Sequence, residues 1–211
     1  ILTGYAANFS KNRYPLHQYN GRVYAPDHTD ELSSARVVST PLEDARWVYD
    51  MMLAYDWTYN SDVFSPEEQR SITDMFRIEY ETFMRELNAA SYSENHTSAE
   101  NLARMAYGIL TNNDAIVREA SICSQGFQDQ LDSKMNSEGL TEQYGIGYHF
   151  AFLLYLVYTA ELYERAGYGD LFGYGSNKLK VGIDYIINST YLDGLRIPQI
   201  QTSVGDWSWT P

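Results

Sequence analysis

Apolar residues recur at helical spacing along most of this chain, and strand-like alternation is weak throughout. Val48, Met52, Tyr55 and Tyr59 share one helical face, and Ile72, Phe76, Tyr80, Phe83 and Leu87 share another. Leu102, Met105, Ala106 and Ile109 continue the pattern. After Asn112-Asn113 the spacing predicts a fourth helix that carries Ile116, Ala120, Cys123, Phe127 and Leu131. From Tyr144 to Arg165 nearly every face is apolar, which predicts a helix buried among others, with Gly167 as its C-cap. Leu179, Ile183 and Ile186 mark a sixth helix.

Helix starts are punctuated. Thr40-Pro41-Leu42-Glu43 and Ser65-Pro66-Glu67-Glu68 read as capping boxes with proline at the first helical position, and Thr97-Ser98-Ala99-Glu100 as a third without it. In each, a hydroxyl and a carboxylate satisfy backbone donors that the helix cannot satisfy itself. Residues 1–39 hold little periodicity and many turn formers, among them Pro15, Asn20-Gly21 and Pro26-Asp27. They are expected to form an irregular N-terminal arm ahead of a helical domain over residues 40–211. The expected class is all-α, built from antiparallel helix hairpins with short connections. No fixed period recurs, so a solenoid of identical units is not supported.

Composition narrows the function classes. A formal charge of −13 argues against a nucleic-acid partner, because neutralising phosphates takes a surplus of Lys and Arg. Cys123 has no second cysteine to pair with, which excludes an internal disulfide. The 44% apolar content excludes a disordered chain. The longest apolar stretch, Phe150 to Ala160, is interrupted by tyrosines and too short to span a bilayer. Nineteen Tyr, four Trp and eight Phe suit a carbohydrate groove, and equally a thick helical core. The sequence opens on Ile1 with no visible leader, as a processed or truncated chain would, and carries glycosylation sequons at Asn8, Asn95 and Asn188. A secreted protein is the expectation.

Candidate chemistry is sparse. The histidines are His17, His28, His96 and His149, without the spacing of a zinc site, and no glycine-rich phosphate loop occurs. Two segments stand out. In Ser93-Glu94-Asn95-His96-Thr97 an amide and an imidazole stand just ahead of the helix that Thr97 is expected to cap, where a carboxylate would be favoured. The alternative is that Asn95 makes a turn and His96 packs beside the cap. In the run from Ser137 to His149, Tyr144 and Tyr148 lie four apart on one helical face, and Gly145 and Gly147 allow a ligand to approach closely. The alternative there makes both tyrosines core residues.

Asn95-His96, then Tyr148-His149, then Gly167-Tyr168-Gly169-Asp170-Leu171-Phe172 together resemble the helical-toroid polysaccharide lyases, the alginate lyase superfamily foremost, with heparinase-like lyases as relatives. The similarity runs over residues 42–192; each motif is short, and their order and spacing carry the likeness. Alginate lyases of this kind usually place an Arg shortly before the Tyr. Here the stretch reads Leu140-Thr141-Glu142-Gln143, and Glu142 is similar to an acidic residue of the heparinase-like branch.

The resemblance implies an (α/α) toroid, incomplete here because so few helix pairs are present, in a chain that could continue beyond the residues given. It implies β-elimination on a uronic-acid polymer such as alginate or glucuronan, an anionic polysaccharide, without metal or cofactor. Asn95 and His96 would neutralise the uronate carboxylate so that enolate-like charge can develop. Tyr148 would act as acid and base, and Tyr144, His149 and Glu142 would contact substrate, with His149 or His96 as an alternative base. Because a phenol is weakly acidic, a tyrosine base needs nearby positive charge or hydrogen bonds. Lys11, Arg13, Arg22, Arg104 and Arg118 could form a local basic patch against the overall negative charge. Two other classes stay open: a glycoside hydrolase using paired carboxylates such as Glu138 and Glu142, and a non-catalytic carbohydrate-binding domain.

Overall fold

A computed structural model describes residues 1–9, 18–19, 22–23, 41–89, 94–141, 146–189, 196–197 and 207–208. Its helices are α1 (Leu2–Phe9), α2 (Pro41–Thr58), α3 (Pro66–Ala89), α4 (Glu94–Leu110), α5 (Asp114–Ile122), α6 (Phe127–Lys134), α7 (Ile146–Arg165) and α8 (Tyr174–Ser189). Two antiparallel ladders of two residues per strand accompany them. One joins β1 (Gln18–Tyr19) to β2 (Arg22–Val23), the other β3 (Arg196–Ile197) to β4 (Trp207–Ser208). The protein is all-α, as the apolar spacing predicts.

Helix α4 organises the packing. It lies against α2 and α7 most extensively, and also against α5, α3 and α6. Small residues (Ala99, Ala103, Ala106 and Gly108) let those neighbours approach its axis. Two cores meet along it. In the first, Leu102 and Ala103 pack with Phe9 of α1, Val48 and Tyr55 of α2, and Ile72 and Phe76 of α3. In the second, Met105 packs with Val117, Phe127, Leu131, Phe152, Leu156 and Leu179. Each large side chain taken fully out of water in these cores contributes about 1.5–3 kcal/mol.

Several expectations are corrected. The N-terminal arm is not irregular at its start: residues 2–9 form α1, which packs against α3 and buries Leu2 and Phe9. Two buried apolar side chains, Leu2 and Phe9, in one short helix are too few to show a period. The expected fourth helix is two, α5 and α6, separated at Cys123–Gly126. The break is held by Gly126, whose backbone presses on the end of α5: a Cβ there would lie 2.7 Å from the Glu119 carbonyl oxygen and 2.8 Å from that of Cys123. The third capping box does not cap. Thr97 and Ser98 lie inside α4, buried, and the Ser98 hydroxyl donates back to the Asn95 carbonyl at 3.1 Å. The Ser65 box forms as expected, with the Ser65 N–H donating to Glu68 Oε2 (2.8 Å) and the Glu68 N–H to Ser65 Oγ (3.3 Å). Thr40 lies outside the described residues. Tyr59, expected on the buried face of α2, is 54% exposed beyond the helix end.

Polar side chains of α4 finish the neighbouring helix. The last carbonyls of α5 have no partner within it. Asn101 Nδ2 donates to the Ala120 carbonyl (2.7 Å), while Arg104 Nη2 donates to Asn101 Oδ1 (2.6 Å) and to the Glu119 carbonyl (3.1 Å). Asn101 and Arg104 are buried, and burial pushes the Arg104 guanidinium below its usual range against the opposing pull of Glu119. At the end of α7 Gly167 takes φ +83°, its N–H bonding the Glu164 carbonyl and that of Tyr168 the Tyr163 carbonyl, so the expected C-cap is present.

Replacing Gly126 with Ala drives a methyl into three backbone carbonyls that cannot move independently. The expected loss is about 1–3 kcal/mol of stability, read as a lowered midpoint in urea. An unchanged midpoint would show that the α5–α6 break tolerates a side chain.

Candidate functional site

The residues singled out from the sequence fall on two helices. Asn95 and His96 are not ahead of α4 but in its first turn. Asn95 is buried and His96 half-buried. Burial pushes the His96 imidazole below its ordinary value, so the ring is neutral at neutral pH and offers one N–H donor and one lone pair. The positive end of the helix dipole is at this same turn.

Tyr148 and His149 lie in the first turn of α7, which packs directly against α4. They are adjacent in the chain and opposite in environment. Tyr148 is 48% exposed; His149 has 0% exposure. His149 Nε2 lies 3.2 Å from the Gly182 carbonyl oxygen, and Nδ1 lies 3.4 Å from both the N–H and the Oγ1 of Thr141. A carbonyl can only accept, so Nε2 carries the proton and Nδ1 accepts from Thr141. Burial lowers the pKa of the ring, and the bond to Gly182 opposes that shift. The Tyr185 ring of α8 stands edge-on to it at 5.9 Å. The expectation that His149 touches substrate, or serves as a base, is therefore at odds with the geometry, since it has no surface and both nitrogens are engaged.

A tight loop leads toward this turn. Asn136 Oδ1 accepts the N–H groups of Glu138 and Leu140, both at 3.0 Å, and Met135 bridges Thr141 in antiparallel fashion. Glu138 is exposed at the loop tip. Gly139, at φ +91°, lies so close to α8 that a Cβ would sit 2.7 Å from the Val181 carbonyl oxygen. Glu142 and Tyr144 lie outside the described residues. So do Lys11 and Arg13, while Arg22 is described only through its place in β2. Arg104 cannot join a surface basic patch because it is buried against α5; Arg118 is exposed.

Thr141 and Gly182 escaped the sequence reading because their partner His149 is 8 and 33 residues away, with no local pattern to announce either contact. The burial of Glu79, Glu100, Asn101 and Arg104 is not legible in the sequence for a related reason. Charged residues at helical spacing read as a solvated face until the fold covers them.

These two pairs stand in an all-α chain whose sequence matches a known class. The family model described as Alginate lyase matches residues 6–194, and the chain belongs to the alginate lyase family. The match begins within α1, well before the 42–192 span on which the motifs lie. The protein is thus a polysaccharide lyase, and its substrate a polysaccharide. No curated protein matches the chain.

Two imidazoles, one buried and one half-buried, give stability a pH dependence. Both are depressed in the fold, so the unfolded chain, with histidines near the ordinary ~6.5, takes up protons first. Their contribution is complete above that value and is lost as pH falls below it. The melting temperature of the native protein is expected to drop between pH 7.5 and 5.5, with a shallower drop in His149→Gln. Equal slopes in the two proteins would remove His149 from this account.

Proposed function

We propose that this lyase cleaves a uronic-acid-containing polymer, of the alginate or glucuronan class, by β-elimination. The observation that carries the reading is the placement of Asn95-His96 and Tyr148 in the first turns of α4 and α7, which pack on each other. A uronate resists loss of its C5 proton because its carboxylate is already anionic. Hydrogen-bond donors in a desolvated setting lower that barrier by stabilising the charge that builds on the carboxylate. Asn95, buried, and His96, half-buried and neutral, supply such donors at the positive end of α4. Tyr148 keeps about half its surface and stands where substrate can reach it. It takes the C5 proton and returns one to the departing C4 oxygen, leaving an unsaturated sugar at the new non-reducing end. His149 is no longer in the substrate-contacting set; Tyr144 and Glu142 remain in it.

We also propose that the protein is secreted. Asn188, the acceptor of one sequon, is exposed on α8, whereas Asn95 is buried within α4 and would carry no glycan. Peptide mass spectrometry after secretion from a glycosylating host is expected to leave Asn95 unmodified; occupancy there would count against it as a substrate ligand.

Incubation with alginate, glucuronan and related polymers is expected to yield the ultraviolet absorbance of an unsaturated uronate from at least one of them. No product from any, with folded protein, would overturn the uronate reading. Tyr148→Phe removes only the hydroxyl and is expected to lower kcat by about 10²–10⁴-fold with KM little changed. Turnover at the native rate would reject Tyr148 as acid and base.

The charge of −13 adds a second test. Like charges repel over the screening length, about 30 Å at 0.01 M salt and 8 Å at 0.15 M. Raising salt across that range is expected to lower KM for a polyuronate while kcat stays nearly constant. A KM that climbs steeply instead would mean that local basic contacts dominate.

A further inference from the structure

We propose that His149 is a positioning residue: a neutral imidazole that pins the first turn of α7 to α8 and to the 135–141 loop, and so sets where the Tyr148 hydroxyl stands. The proposal rests on Tyr148 being the acid/base, and its test separates the two.

Three elements converge on this ring. Through its own backbone it belongs to α7. Through Nε2 it donates to the Gly182 carbonyl of α8 at 3.2 Å, and through Nδ1 it accepts from Thr141 at 3.4 Å. The Gly182 carbonyl sits within a right-handed helix, so the ring reaches a backbone fixed by its own ladder. Around it the packing leaves no slack. A Cβ on Gly182 would lie 2.9 Å from Leu153 Cδ2 and 3.0 Å from Met135 Sδ, and one on Gly139 would strike the Val181 carbonyl. The loop and α8 therefore meet backbone to backbone, α7 reaches α8 through the Leu153 side chain, and His149 is the polar tie among the three. Its donor faces an acceptor and its acceptor faces a donor, an arrangement that only one neutral tautomer satisfies.

The consequence for Tyr148 follows from adjacency. With His149 held on the inner side, the next residue back along the helix projects outward, and Tyr148 is the exposed one. Rotating or fraying this turn would swing the phenol by ångströms, and misplacement of about 1 Å at a reacting group costs on the order of 10²-fold in rate. Replacing His149 thus acts on kcat through geometry, although His149 itself meets neither sugar nor proton in flight.

Two substitutions and one spectrum test this. Gln can present one donor and one acceptor; Phe fills similar space with neither. His149→Phe is expected to lower kcat by roughly 10- to 100-fold with KM within about 3-fold, and to speed hydrogen exchange in peptides covering residues 146–152. His149→Gln is expected to restore most of both. A folded His149→Phe protein with native kcat and native exchange overturns the proposal. So does a His149→Gln protein as inactive as Tyr148→Phe but with native exchange, since the imidazole would then be doing chemistry. Nitrogen NMR on the unaltered protein covers the case in which Phe prevents folding: Nε2–H should persist, unmoved by a saturated oligouronate. A proton on Nδ1, or a ring shifted by that ligand, overturns it. Should Tyr148→Phe keep full turnover while His149→Phe loosens the turn, the acid/base reading fails and the tie itself stands.

Discussion

The structure depends on the burial of helix α4. From Thr97 to Ala106 every residue is buried, so the helix has no solvent face over nearly three turns. Apolar positions then supply the two cores on either side, and every polar position must find its partner inside the protein. Asn101 and Arg104 do so at the end of α5, and Ser98 bonds its own helix. Removing one member would leave a buried donor or acceptor unanswered, which costs more than the bond's net worth. Ser98, Asn101 and Arg104 are therefore as fixed as the apolar side chains of α4.

That rigidity suits the site proposed at the first turn of α4. Asn95 and His96 extend from a helix that has little freedom to tilt, and α7, packed against it, carries Tyr148. The two histidines divide the labour by environment. Half-buried His96 keeps some surface, while His149 has none and is bonded on both ring nitrogens. The same residue type thus stands as a candidate donor to substrate on one helix and as an internal tie on the next.

Much of the fold was legible in the chain. The α2 face of Val48, Met52 and Tyr55, the Ser65 capping box and the Gly167 cap all appear where periodicity and capping chemistry place them. These features are local, set by side chains within a turn or two. Where reading failed, a distant contact had overridden the local pattern. Phe9 makes a helix worthwhile at residues 2–9 only because α3 covers it. The expected continuous helix through Cys123 breaks because Gly126 folds back onto carbonyls that Asn101 and Arg104 hold from α4. Thr97 resembles a cap until burial draws it into the helix.

By itself the sequence determined the all-α class, most helix positions and the family, because hydrophobic period and short ordered motifs are properties of neighbours along the chain. Only the tertiary structure decided which of two adjacent residues in Tyr148-His149 faces outward, and that Arg104 is a structural cation rather than a surface one. Both depend on partners far away in sequence: Gly182 for the histidine, Glu119 for the arginine. Solvent exposure and hydrogen-bond partners arise from how helices stack, and no pattern within a single helix encodes them.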